Sequence, residues 1–143
     1  MKSLLIALLL LTQFQSENDF EKAKKTAAES HKLILLNFSG SDWCGPCIVF
    51  TKQYLNDAEF LKSAESNLVI INADFPRKKK NRLSPELVRR NEALAETYNP
   101  DGKFPFTLLL DARGKVLKSW EGKPAVSPSE WNADINLICV KNK

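Results

Sequence analysis

A nearly continuous apolar run, Leu33-Ile34-Leu35-Leu36-Asn37-Phe38, is followed after a short polar loop by Trp43-Cys44-Gly45-Pro46-Cys47. This succession constrains the chain more than any other feature. An apolar run of that length, bounded by Ser39-Gly40-Ser41-Asp42, reads as a strand buried on both faces. Pro46 suits the first turn of a helix, where its missing N–H costs nothing. The cysteines therefore stand where a buried strand hands over to a helix, the usual place for a site in an α/β fold.

Two cysteines separated by two residues can close a disulfide within one turn of backbone and open it again. If a helix begins at the first of them, its unpaired N–H groups and the positive end of its dipole face that sulfur and favour thiolate over thiol. The thiolate is the reactive form, so Cys44 would attack and Cys47 would resolve. Two alternatives stand beside this reading. The pair could be half of a zinc site, but the remaining soft ligands, Cys139 and His31, are remote and form no second ligand pair. It could be a permanent stabilising disulfide, but so short a closed loop constrains the unfolded chain little.

The rest of the chain supplies the order of elements. Phe20, Ala23 and Ala27 recur at helical spacing within Asn18 to Ser30. A helix is expected from about Cys47 to Leu55, and a second from Asp57 to Ala64. Leu68 to Ala73 is the next apolar strand. Arg77-Lys78-Lys79-Lys80 lies in a basic loop, read as solvated or, more sharply, as a docking patch for an acidic partner. Ser84-Pro85-Glu86 opens a helix with Leu87, Leu94 and Tyr98 on one side, stopped by Asn99-Pro100-Asp101-Gly102. Phe106 to Leu110 and Val116 to Trp120 are joined by the Asp111-Ala112-Arg113-Gly114 turn and form an antiparallel hairpin. Ser127-Pro128-Ser129-Glu130 opens a last helix with Trp131, Ile135 and Ile138 on one face. Parallel pairing of the first two strands needs a right-handed crossover. The expectation is an α/β fold: a mixed sheet of four to five strands with helices on both faces.

The 143 residues suffice for one domain, and 43% hydrophobic content is that of a globular protein with a core. A net charge of +4, without interleaved aromatics, gives no argument for nucleic acid. Met1-Lys2-Ser3 followed by Leu4 to Leu11 matches a secretory signal peptide and is too short to span a membrane. We expect residues 1–16 to be the signal and 17–143 the domain, exported to the periplasm or secreted. A buried N-terminal helix is the alternative. Export would place the cysteine pair where disulfides persist. Cys139, within Ile138-Cys139-Val140, reads as a buried small hydrophobe, against a second redox role or an intermolecular bridge.

This combination resembles the thioredoxin superfamily. Trp43-Cys44-Gly45-Pro46-Cys47 matches the thioredoxin active-site motif letter for letter, and Lys103-Phe104-Pro105-Phe106-Thr107 matches the segment in which a cis-proline begins the third strand. The Gly40-Ser41-Asp42-Trp43-Cys44 lead-in and the basic, Pro-containing insertion over Asp74 to Pro85 are similar to those of exported bacterial thiol-disulfide interchange proteins. The resemblance implies a thioredoxin fold, with Trp43, Gly45 and Pro46 framing catalytic Cys44 and Cys47, their redox-active disulfide, and Phe104 and Pro105 binding an extended substrate segment by strand-like pairing. One position departs from the family. A buried aspartate that helps to deprotonate the resolving cysteine has its counterpart at Asn37, which carries no proton, so either water or Asp42 would take that role or resolution by Cys47 would be slower.

The activity implied by this resemblance is that of an exported thiol-disulfide oxidoreductase without metal or organic cofactor. Gly45-Pro46 resembles the reducing members, and the histidine usual between the cysteines of oxidants and isomerases is absent. Disulfide-containing proteins are the implied substrates, a membrane thiol-reducing protein the implied electron donor, and a monomer the expected state. Two alternatives stay open: disulfide oxidation or isomerisation, and polypeptide binding without net redox turnover.

Overall fold

The computed structural model describes residues 19–143. The elements run α1 (Asp19–Ser30), β1 (Leu33–Ser39), α2 (Gly45–Phe50), a π-helical turn over Thr51–Leu55, α3 (Ala58–Asn67), β2 (Leu68–Asp74), a 3-10 turn over Lys79–Asn81, α4 (Pro85–Tyr98), β3 (Phe106–Leu110), β4 (Val116–Glu121) and α5 (Pro128–Lys141). Asn18 and the expected signal segment 1–16 lie outside the described residues, as does the start of the expected domain at residue 17.

The sheet has four strands in the order β2-β1-β3-β4. β1 pairs parallel with β2, from Leu33 opposite Leu68 to Ser39 opposite Asp74. β3 runs antiparallel to both β1 and β4, with an irregularity at Leu109 and Leu110. Every residue of β1 is buried, as its unbroken apolar run requires of a central strand. Alternation divides it between two cores. Ile34, Leu36 and Phe38 join Phe20 and Ala27 of α1 and Leu94 of α4. Leu33 and Leu35 join Phe50, Phe60, Trp131 and Ile135 on the opposite side, under α2, α3 and α5. Trp131 anchors this second core, its ring centre 5.4 Å from Phe50, 5.1 Å from Phe60 and 5.6 Å from Trp120. Removal of such a ring costs about 3–5 kcal/mol.

The polar signals of the sequence find their partners. Ser84 accepts from the Leu87 N–H, Asp57 from the Phe60 N–H, and Ser127 with Glu130 closes a capping box on α5. At the β3–β4 turn Gly114 has φ +87°, a conformation that glycine adopts without penalty, and its carbonyl accepts from the Tyr98 hydroxyl at 2.7 Å.

Three expectations are corrected. α2 begins at Gly45 rather than Cys47, because the first helical residues need no intrahelical donor and so tolerate both glycine and proline. α3 extends to Asn67, three residues beyond Ala64. On α4 the buried line runs through Asn91 and Leu94, while Leu87 is only half-buried. Asn91 can be buried because its amide donates to the Asp74 carbonyl at 2.8 Å and its oxygen accepts from Arg90 Nε.

Candidate active site

The strand β1 delivers the chain into a tight turn. Trp43 N–H and Cys44 N–H both donate to the Gly40 carbonyl, at 3.3 and 2.9 Å. A Cβ at Gly40 would come within 2.3 Å of the Trp43 ring, so the lead-in can close only over glycine. The indole Nε1 donates to the Phe75 carbonyl at 2.7 Å, which ties this loop to the end of β2. Trp43 therefore lies at the rim of the site, as its position before the cysteines suggests, and Trp120 and Trp131 lie in the packing beneath α5.

Cys44 is the N-cap of α2, in extended backbone, and its Sγ accepts from the Cys47 N–H at 3.3 Å. The two cysteines are joined as a disulfide with their Cα atoms 5.2 Å apart. They are not equivalent. Cys47 is fully buried, whereas Cys44 keeps 6% of its surface accessible. Once the bond is reduced, the N–H aimed at Cys44 Sγ favours its thiolate, and α2 is short enough that this local donor, rather than a long macrodipole, supplies the effect. Gly45 and Pro46 are exposed beside the pair. Among the described residues, no group of three or more His, Cys, Asp or Glu could hold a metal ion, so the zinc alternative has no ligand set there.

The second motif lies against the first. The Phe104–Pro105 peptide is cis, and Pro105 is buried at the entry to β3. The half-buried Phe104 ring lies 5.4 Å from Trp43 and 5.6 Å from Phe75, edge-on to both. Such pairs add about 0.5–1.5 kcal/mol each beyond simple burial. The carbonyl of Pro105 accepts from the Gly122 N–H at the end of β4.

Asn37 sits on the α2 side of β1, by the same alternation as Leu33 and Leu35, and is 1% exposed. It accepts from the Thr107 hydroxyl and donates to Asn72 Oδ1, each at 3.0 Å. Its polar groups are satisfied without a proton to exchange. Asp42 is a poor substitute base. Its carboxylate accepts from the Arg77 and Lys78 N–H groups, both at 2.9 Å, and from the Asn81 amide at 3.0 Å. The Arg77 N–H foremost, then the Asn81 amide, hold its carboxyl down to about 2.

These bonds fold the basic loop back onto the site. The Arg77 guanidinium carbon lies 3.7 Å from the centre of the Trp43 ring. Reading this loop as wholly solvated missed that contact. The signal for it was Asp42, a carboxylate in the lead-in with no cation near it in sequence. Cys139, by contrast, is a buried free thiol within the Trp131 core, as its apolar surroundings in sequence indicate.

The comparisons with known proteins agree with this geometry. The chain is 37% identical over 98 residues to the disulfide bond reductase DsbH of Chlamydia pneumoniae, covering 68% of this chain and 57% of that protein. It is 28% identical over 118 residues to the thioredoxin-related protein DsbJ of the same organism, covering 76% of this chain and 33% of that one. It thus spans little more than half of one relative and a third of the other. A solved structure of DsbH oxidoreductase superposes with a TM-score of 0.74 at 30% identity, over 85% of this chain and 81% of that one. A thioredoxin from Thermus thermophilus, at 17% identity and a TM-score of 0.60 over 85% and 84% of the two chains, shares the fold. The thioredoxin-like family model matches residues 15–112, through both the cysteine motif and the strand opened by Pro105, and the chain belongs to that family.

Proposed function

We propose that this protein is an exported thiol-disulfide oxidoreductase that works in the reducing direction. The observation that carries the reading is the asymmetry of the pair: Cys44 is partly accessible and receives an N–H, while Cys47 is fully buried behind it. The reduced Cys44 thiolate attacks one sulfur of a substrate disulfide. That S–S bond breaks, a mixed disulfide forms, and the first substrate thiolate leaves. Cys47, deprotonated, then attacks Cys44 Sγ, and the second substrate thiolate leaves. Two electrons pass to the substrate and the protein is left with the Cys44–Cys47 disulfide. Trp43, Gly45 and Pro46 shape the approach, and Phe104 and Pro105 hold the substrate segment in extended form.

The reducing direction is supported by Gly45-Pro46, by the lack of a histidine between the cysteines and by the name of the DsbH relative. Export is supported by the charge and apolar run of residues 1–16. Reduction in an oxidising compartment requires re-reduction, for which a membrane thiol-reducing protein is the donor we infer. The protein acts as a monomer in this reading, on disulfide-containing proteins.

The test is the reduction potential of the pair, by equilibration with glutathione or dithiothreitol. A value near or below about −230 mV is expected, and one above about −180 mV would overturn the reducing direction in favour of disulfide formation or isomerisation. Insulin reduction with dithiothreitol separates either enzyme from a polypeptide binder. Acceleration is expected, and Cys44→Ser should abolish it.

A further inference from the structure

Five cations, Arg77, Lys78, Lys79, Lys80 and Arg82, fall within six residues of the loop between β2 and α4. All are exposed, and among the described residues none of them takes part in a salt bridge. The nearby carboxylates are otherwise engaged. Asp42 is occupied by backbone N–H groups and the Asn81 amide. Asp74 accepts from the Ser41 N–H and hydroxyl, at 2.9 and 2.5 Å. Those bonds hold like charges together on one short, exposed loop, where Lys78 also acts through space on the Asp42 carboxylate.

Between this loop and α4 lies a groove of about 230 Å³, lined by Phe75 and Val88 as well as by Arg77, Lys78 and Arg82. Its two acidic lining residues are Asp74, whose carboxylate is held by Ser41, and Glu92 on α4. The groove is continuous with the candidate active site through shared residues. Phe75 lines it and also touches Phe104, the residue before Pro105. Arg77 lines it and stacks on Trp43, the residue before Cys44. A polypeptide extended along Phe104 and Pro105 has this basic groove next to it.

We propose that the groove docks an acidic segment of the substrate polypeptide, close in sequence to the disulfide that Cys44 attacks, and so selects among disulfides by the charge beside them. The chemistry fits a carboxylate-bearing chain: the apolar lining takes the stems of glutamate side chains, and the exposed Lys78 and Arg82, which make no salt bridge among the described residues, take their carboxylates. The proposal rests on the oxidoreductase reading of the Cys44–Cys47 pair, and its test separates the two.

Two fluorescent cysteine-free peptides, identical except that a run of glutamates in one is a run of glutamines in the other, are titrated onto the oxidised protein by anisotropy. At low salt the glutamate peptide should bind about tenfold more tightly, since several exposed charge pairs act together. The preference should vanish at about 0.3 M salt, where charges are screened over a few ångströms. It should also vanish in Lys78→Gln/Arg82→Gln and reverse toward a lysine-rich peptide in Lys78→Glu/Arg82→Glu. Equal binding of both peptides to the unaltered protein would overturn the proposal. So would an oligonucleotide of equal charge that binds more tightly than the glutamate peptide. Disulfide-containing versions of both peptides are then offered to the reduced protein. Preferred binding with no reduction of either would leave the docking groove and sink the oxidoreductase reading. Equal binding with equal reduction would do the opposite.

Discussion

The guanidinium of Arg77 lies 3.7 Å from the centre of the Trp43 ring, although the two residues are separated by the whole of α2, α3 and β2. Trp43 immediately precedes Cys44, and Arg77 begins the run of cations beyond β2. Their contact joins the redox pair to the basic loop. It is held from two sides: the indole N–H donates to the Phe75 carbonyl, and Asp42, next to Trp43, accepts from the Arg77 N–H. The stacking geometry is therefore set by the backbone before the arginine side chain adds its own attraction.

Arg77→Ala should lower stability by about 0.5–1 kcal/mol, the range for a cation over an exposed aromatic face. Arg77→Lys should recover only part, because an ammonium lacks the planar surface of the guanidinium. Urea unfolding of the three proteins checks the order. Equal midpoints for Arg77→Ala and the parent would show that the stacking contributes nothing.

Asp42 gives the loop a pH dependence. Its carboxyl lies at about 2 in the folded protein, against 3.8 ordinarily, chiefly because the Arg77 N–H and the Asn81 amide donate to it. A lowered folded-state value means that the stabilisation is complete above about pH 4 and is lost as pH falls through 2. The backbone amide proton shifts of Arg77 and Lys78 should titrate with a midpoint near 2. In Asp42→Asn that transition should be absent. A midpoint near 4 in the parent would mean that these bonds do not hold the carboxylate.

The two cysteines should give opposite traps. Cys44 keeps an accessible edge and Cys47 none, so only Cys44 can meet a bulky substrate. Cys47→Ser should accumulate a covalent adduct with a disulfide peptide, visible by mass spectrometry. Cys44→Ser should accumulate none. An adduct on Cys47 would invert the proposed roles.

Much of this arrangement is legible in the sequence, for identifiable reasons. β1 announces itself because a strand buried on both faces must be apolar throughout, and the starts of α4 and α5 because Ser-Pro-x-Glu and its relatives satisfy helix N–H groups locally. What apolar periodicity misses is burial made possible by a distant partner. Asn91 stands between Leu87 and Leu94 on the apolar side of α4, and a polar residue there is accounted for only once the Asp74 carbonyl is placed beside its amide. The Arg77–Trp43 contact is hidden for the same reason, with Asp42 as its one trace in the sequence: it depends on that carboxylate accepting from a loop more than thirty residues away. The thioredoxin-like resemblance pointed to the cysteine pair, to Pro105 and to the basic insertion over Asp74 to Pro85, but not to the groove that this insertion forms against α4.

Asn37 offers a test of the family departure. In Asn37→Asp, Thr107 can still donate to one carboxyl oxygen, but the other meets Asn72 Oδ1, also an acceptor. Burial at 1% exposure disfavours the charged form, so the folded-state value of the new carboxyl should rise above the ordinary value of about 3.9. A raised value means that the variant loses stability as pH climbs from about 4 toward that folded value. We expect a cost of about 1–3 kcal/mol at neutral pH relative to the parent, shrinking on acidification. Urea unfolding at pH 7 and pH 5 measures both. A variant equally stable at the two would show that Asn72 turns its amide to receive the charge.

Cys139 should be chemically silent in the folded protein. It is 2% exposed, lies in the core with Trp131 and Ile135, and burial raises its thiol above the ordinary range. Both effects suppress thiolate, the species that alkylates and exchanges. With the protein reduced, iodoacetamide at neutral pH should label Cys44 and leave Cys139 unmodified, whereas in denaturant Cys139 should react as an ordinary thiol. Peptide mapping after a short pulse of reagent distinguishes them. Labelling of Cys139 in the native protein at a rate comparable to Cys44 would return it to the redox chemistry as a second functional thiol. Protection until unfolding would confine that chemistry, among the described residues, to the pair at the head of α2.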